Sequence, residues 1–208
     1  MFFKAVVNIV KFLVFILNGK TEIQNKDKIP KDTVFVIAAP HRSLLDPIFI
    51  AFAVYPRVFS SMAKQELFKG SFMNWLLRRM HAFPVNRENP GPSALKQPVN
   101  ILKEGNDSLL IFPTGSRHSD EIKGGTSTIA KLAGVPILPI VYQGPFSFKE
   151  LFNIFKHKKA IVRIGDPIYL PAEKRVSREV LAAYDQKITD AFRQLDKEID
   201  PDFVYVAK

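Results

Sequence analysis

Four short apolar runs constrain the fold of this 208-residue chain more than any other feature: Val34–Ala39, Ser108–Phe112, Val135–Val141 and Ala160–Ile164. Each is rich in aliphatic or β-branched residues and bounded by turn-forming ones, the pattern of a buried strand rather than a helix. Arg57–Ala63 and Phe83–Arg87 read as two further strands. Between them the spacing predicts helices from near Ser43 to about Val54, over Gln65–Met80, over Ser93–Glu104 (capped by Ser93 and bent at Pro98), over Thr126–Leu132 (stopped by Gly134), over Phe146–Phe155 and from about Ser177 to Ile199. Strands alternating with helices predict an α/β sandwich.

A chain of this length is most economically one domain with a substantial core. The absence of cysteine excludes disulfides, thiolate nucleophiles and cysteine metal sites. The net charge of +10 favours anionic partners: nucleic acid, lipid head groups, acidic proteins or phosphorylated substrates. Without a pattern of aromatic residues interleaved with basic ones, nucleic acid is the poorest of these.

Residues 1–17, MFFKAVVNIVKFLVFIL, place Lys4, Asn8 and Lys11 on one narrow helical stripe, with Asn18 next, and are otherwise apolar. The segment lacks a signal-peptide cleavage site and is poorly suited to spanning a bilayer, which needs about 20 mostly apolar residues. It is expected to lie in the membrane interface with its lysines toward head groups. The alternative is a helix docked on the protein's own core. The chain thus divides into an N-terminal membrane-associating helix, 1–24, and a domain spanning 25–208.

The chemistry concentrates where predicted strands end. The run Val34–Ala39 leads directly into Pro40-His41-Arg42-Ser43-Leu44-Leu45-Asp46. A strand exit fixes the imidazole, and a carboxylate five residues on can take the proton of one ring nitrogen, leaving the other as a base. Read by itself, H-x4-D is more often a satisfied loop histidine with Asp46 capping the helix; the other segments reverse that balance. Two further exits carry polar groups, at Arg87 and at Gly115-Ser116-Arg117. Strand-exit loops on one edge of an open α/β sheet are where ligands usually bind. Two arginines and Lys123 suit a dianionic ligand, since forked guanidinium groups hold phosphate oxygens in a fixed orientation. Gly115 lets the backbone come close to such a ligand. Competing motifs are missing: there is no G-x-S-x-G elbow, Walker A loop or G-x-G-x-x-G, and the four histidines have no metal-ligand spacing.

Taken together and in order, HRSLLD at 41–46, FPVNR at 83–87, FPTGSRHS at 112–119 and VPILPI at 135–140 resemble the glycerolipid acyltransferases, most closely the bacterial 1-acyl-sn-glycerol-3-phosphate acyltransferases. IGDPI at 164–168 and the N-terminal hydrophobic helix add to the likeness. The resemblance implies a mixed sheet flanked by helices, and transfer of a fatty acyl chain from acyl carrier protein or coenzyme A to the 2-hydroxyl of lysophosphatidic acid, giving phosphatidic acid. His41 would be the general base and Asp46 its orienting partner, with Arg87 holding the glycerol phosphate. Thr114, Gly115, Ser116, Arg117 and Lys123 would supply the phosphate and oxyanion environment. No metal, cofactor or covalent intermediate is expected, and the enzyme would sit on the cytoplasmic face of the cell membrane as a monotopic protein, against an anionic surface.

Two departures from the family pattern stand out. The third block usually reads F-P-E-G-T-R, whereas this chain has Thr114 and Ser116; the residue before the histidine is often Asn, and here it is Pro40. Loss of the carboxylate at 114 keeps open another acceptor, such as glycerol-3-phosphate or a different lysophospholipid. The alternative from another class is a non-catalytic basic protein that binds membranes, for which His41 and Asp46 would be dispensable.

Overall fold

The structure is a computed structural model, described over residues 1–86, 91–114, 124–153, 158–173 and 176–205. In chain order the elements are α1 (Phe2–Asn18), β1 (Glu22–Gln24), β2 (Val36–Ala38), α2 (Asp46–Val54), β3 (Phe59–Lys64), α3 (Ser71–Arg79), β4 (Ala82–Val85), α4 (Ser93–Glu104), β5 (Ser108–Ile111), α5 (Thr126–Ala133), β6 (Ile137–Gln143), α6 (Phe148–Leu151), β7 (Ile161–Ile164) and α7 (Arg178–Ile199). The strands form one mixed sheet in the order β1-β7-β6-β2-β5-β3-β4. From β6 to β4 all neighbours are parallel, while β7 runs antiparallel to β6 and carries β1 parallel to itself. The expected mixed sheet flanked by helices is therefore present.

β2 lies at the centre of the sheet and explains why its sequence is a continuous apolar run. Ile37, with Phe35 and Ala39 beside it, faces a core shared with α1 and α2. Val36 and Ala38 face a second core with α4, α5 and α7. A strand covered on both faces has no solvated side to leave polar. Register follows: Ile37 pairs with Leu110 on one side and Leu138 on the other. β2 is thus a rigid support for whatever follows it.

α1 is less separate than expected. Phe3, Val7 and Val14 are buried in the first core, and Asn18 donates from Nδ2 to the carbonyl of Lys158. Its other side leaves Ile9, Phe12, Leu13, Phe15 and Ile16 exposed, so the helix is docked and still presents apolar surface. At 17 residues it spans about 25 Å. None of the described helices is long and apolar enough to cross a membrane.

The predicted helix over Gln65–Met80 is broken. A 3-10 turn at Gln65–Phe68 is followed by α3, with Gly70 extended between them. No α3 residue is buried, and Leu67, Phe72, Met73 and Trp75 stand out from the surface. Ser93 is not a cap, because Pro92 already holds helical angles and the helix starts from it without a side-chain cap. The helix expected over Phe146–Phe155 is the single turn α6, capped by Ser147 Oγ, with 154 and 155 outside the described residues. β1 was not anticipated: it has only three residues, two of them polar, and gains its strand geometry from pairing along β7.

Candidate active site

Ala39 and Pro40 carry the chain from β2 into the turn that begins at His41. The His41 ring is held at Nδ1, 3.0 Å from Asp46 Oδ2. The same oxygen accepts the backbone N–H of Arg42 at 2.6 Å and that of Ser43 at 2.7 Å. Two backbone donors already point at this oxygen, so it serves as an acceptor. The hydrogen between ring and carboxylate therefore sits on Nδ1, which leaves the lone pair of the neutral ring on Nε2. Asp46 is the first residue of α2, with Pro47 after it, so its carboxylate also meets the positive end of that helix. Asp46 does not cap the helix, which starts from Leu45 without a side-chain cap; its carboxylate organises the preceding turn and holds the ring.

Burial makes this geometry stiff. The side chains of His41 and Asp46 are 12% and 2% exposed. One face of the imidazole stacks on Phe112, centroids 4.2 Å apart and planes 21° from parallel. Ser43 Oγ accepts from the N–H of Leu45 and closes the turn from inside.

His41 lines a cavity of about 350 Å³. Its walls are almost wholly apolar: Val6, Val7 and Val10 of α1, Ile48 and Phe52 of α2, Leu77 of α3, and Phe112. A second cavity, about 580 Å³, shares Met62 and Phe112 with the first and runs toward Asn86, Gly91, Gly124 and Gly125. The size and apolar lining of both are those of sites for small organic ligands.

Parallel strands bring the other predicted site segments to the same edge. Asn86 follows β4 and Thr114 follows β5, whose C-terminal ends lie on the side of the sheet where β2 delivers His41. Thr114 is buried and lines a third cavity with Pro40 and Arg42. Arg87, Gly115, Ser116, Arg117 and Lys123 lie outside the described residues. Of the predicted set, the structure thus joins His41 to Asp46 and puts Thr114 in a neighbouring cavity wall with Pro40 and Arg42. Among the described residues no cluster of His, Asp and Glu is suited to a metal ion.

Sequence reasoning assigned no role to Phe112 or Arg42. Phe112 opens the FPTGSRHS stretch, and its position directly after β5 was a usable signal. Arg42 forms a forked ion pair with Asp196 of α7, Nη1 to Oδ1 at 2.8 Å and Nη2 to Oδ2. No local pattern could have suggested a partner 154 positions away. A second histidine–aspartate pair, His81 with Asp107, also bonded by Ser60, lies at the opposite, N-terminal ends of β3, β4 and β5 and is remote from this site.

The sequence model of the acyltransferase family matches residues 20–143. A 1-acyl-sn-glycerol-3-phosphate acyltransferase of Streptococcus pneumoniae is 40% identical over 199 residues, covering 95% of this chain and 74% of that protein. One of Bacillus subtilis is 38% identical over 201 residues, covering 95% and 98%. The crystal structure of a 1-acyl-sn-glycerophosphate (LPA) acyltransferase from Thermotoga maritima superimposes with a TM-score of 0.66 at 23% identity, over 95% of this chain and 80% of that one, and so shares the fold. With a buried His–Asp pair at the central strand exit, a matching fold and relatives aligned over nearly its whole length, the chain belongs to the acyltransferase family.

Proposed function

We propose that this acyltransferase moves a fatty acyl chain from acyl carrier protein or coenzyme A to the 2-hydroxyl of 1-acyl-sn-glycerol-3-phosphate, yielding phosphatidic acid, with His41 as general base. The observation that carries the reading is an imidazole fixed at Nδ1 by Asp46 and lining an apolar cavity. Nε2 takes the hydroxyl proton as the oxygen attacks the thioester carbonyl, and the thiolate leaves as the tetrahedral adduct collapses. Asp46 stabilises the imidazolium that forms. The proton passes from the acceptor's hydroxyl to Nε2, and from there to the departing thiolate. The cavity beneath His41 would take the hydrocarbon of the acyl group, keeping its carbonyl at the ring. No side chain need be acylated.

In this reading Arg87 holds the acceptor's phosphate, and Gly115, Ser116, Arg117 and Lys123 complete the anionic environment. Arg87→Ala is expected to raise the KM for lysophosphatidic acid at least tenfold and to change the donor's KM less than twofold, in line with the loss of a charge-assisted, two-point contact. Equal changes in both KM values in a steady-state assay would remove Arg87 from that role. Thr114, in place of the usual glutamate, favours a second reading in which another glycerol phosphate or lysophospholipid is the acceptor. A panel of acceptors at matched concentration decides between them by kcat/KM.

The same reading places the enzyme on the cytoplasmic face of the membrane, lying on the bilayer. The exposed side of α1 supports it, as does its continuity with α3: Phe2 meets Trp75 edge-on at 5.5 Å, and Phe72 stacks beside Trp75. Arg79 lies over the Trp75 ring, at the spacing of a cation beside an interfacial aromatic. Trp75 is the only tryptophan in the chain and is 47% exposed. Vesicles containing anionic phospholipid should therefore shift its emission to shorter wavelength, and bromine-labelled acyl chains should quench it. Emission unchanged by saturating vesicles would contradict a membrane face built from α1 and α3.

A further inference from the structure

Arg42 stands beside the proposed base, yet its side chain turns away from the cavity that His41 lines. Its guanidinium reaches Asp196 in the last turns of α7 through both terminal nitrogens. Both side chains are close to nine-tenths buried, at 10% and 11% exposure. Asp196 is itself held: Gln143, the last residue of β6, donates from Nε2 to Oδ1 at 2.8 Å and to the backbone carbonyl of Asp196 at 3.1 Å. The C-terminal segment closes over the pair. The Phe203 and Tyr205 rings lie 5.0 and 5.4 Å from the guanidinium carbon, and the Tyr205 hydroxyl donates to the Arg42 carbonyl at 3.0 Å. Phe146 packs against both rings.

A buried ion pair is poor evidence of stability, because desolvating two charges offsets most of their attraction. Its value is in geometry, since a forked guanidinium fixes distance and angle together. The residue fixed here is informative. The Arg42 backbone N–H makes the 2.6 Å bond to Asp46 Oδ2, the oxygen that also holds His41. With its side chain locked to α7, its carbonyl held by Tyr205 and its N–H aimed at Asp46, Arg42 has little freedom left.

We propose that Arg42 is a positioning residue for acyl transfer: its forked pair with Asp196, covered by Phe203 and Tyr205, sets the turn that aligns Asp46 and, through it, His41. The inference rests on the reading of His41 and Asp46 as the catalytic pair. It gives α7 and the C-terminal segment, which share no residue with the four sequence blocks, a part in the active site.

The test is a double-mutant cycle on the full-length protein with vesicle-borne lysophosphatidic acid and an acyl thioester. Arg42→Lys keeps the cation and loses the fork. It is expected to lower kcat about 10- to 100-fold with both KM values within twofold of wild type. Residues that act as a unit are not additive. In an Asp46→Ala background, where no acceptor is left at position 46 for the turn to align, the same change should cost less than twofold. A purely structural part would multiply the two losses and move KM and thermal stability together. Should Arg42→Lys not fold, the isosteric Asp196→Asn carries the same cycle with the same expectation. A kcat within twofold of wild type, or full multiplication on Asp46→Ala, overturns the proposal while leaving the His41–Asp46 pair intact. An Asp46→Asn enzyme as fast as wild type overturns both.

Discussion

His41→Ala is expected to lower kcat for acyl transfer by about 10³-fold, within the range that positioned general bases contribute. The variant leaves the acceptor hydroxyl with only water to take its proton at the moment of attack. The fold should survive: β2 ends before His41, the turn is organised by Asp46 and the N–H groups of Arg42 and Ser43, and the missing ring borders an existing cavity. Circular dichroism and thermal melting close to wild type, with product formation measured over hours, would bear this out. Turnover within threefold of wild type would mean that another group removes the proton.

The second large effect is that of Asp46→Asn, expected at about 10²-fold in kcat with both KM values nearly unchanged. Asparagine still offers a carbonyl oxygen to the backbone donors at Arg42 and Ser43, so the turn has a reason to persist. What it cannot offer is charge. As the proton reaches Nε2 the ring becomes an imidazolium whose Nδ1 lies 3.0 Å from Oδ2. At an effective dielectric constant of about 20 a unit pair at that distance attracts by roughly 5 kcal/mol before solvent competition. Each 1.4 kcal/mol retained corresponds to about a factor of ten. Losing about half of the gross attraction predicts the hundredfold effect. A change in KM alone, with kcat preserved, would assign Asp46 to substrate binding instead.

How far the sequence carried depended on whether the determining contact was local. The central strands were legible because burial on both faces turns them into uninterrupted apolar runs, as at Val36–Ala38 and Ser108–Ile111. The His41–Asp46 pair was legible because five residues of turn suffice to join the two groups. Gly70, by contrast, gave no warning that it would end a 3-10 turn and start α3 afresh, since a glycine within an amphipathic pattern is common. β1 depends on a partner 139 positions on, and Arg42 on one 154 positions on. Such pairings are settled by sheet topology, not by neighbours in sequence.

The departure at Thr114 acquires a physical setting. Where the family pattern has a glutamate, the residue here is a buried threonine in the same cavity wall as Arg42 and Asp196. Among the described residues, the carboxylate bonded to the guanidinium next to His41 comes from α7. Resemblance by motif alone would not have pointed to α7.

The most direct test of direct, base-assisted transfer is a single-turnover experiment with the full-length protein on anionic vesicles, following phosphatidic acid by extraction and the protein by intact mass. The account predicts phosphatidic acid only when lysophosphatidic acid and the acyl thioester are both present, and a protein mass unaltered by donor alone. Stoichiometric acylation of the protein by donor before acceptor is added, followed by its loss into product, would contradict it.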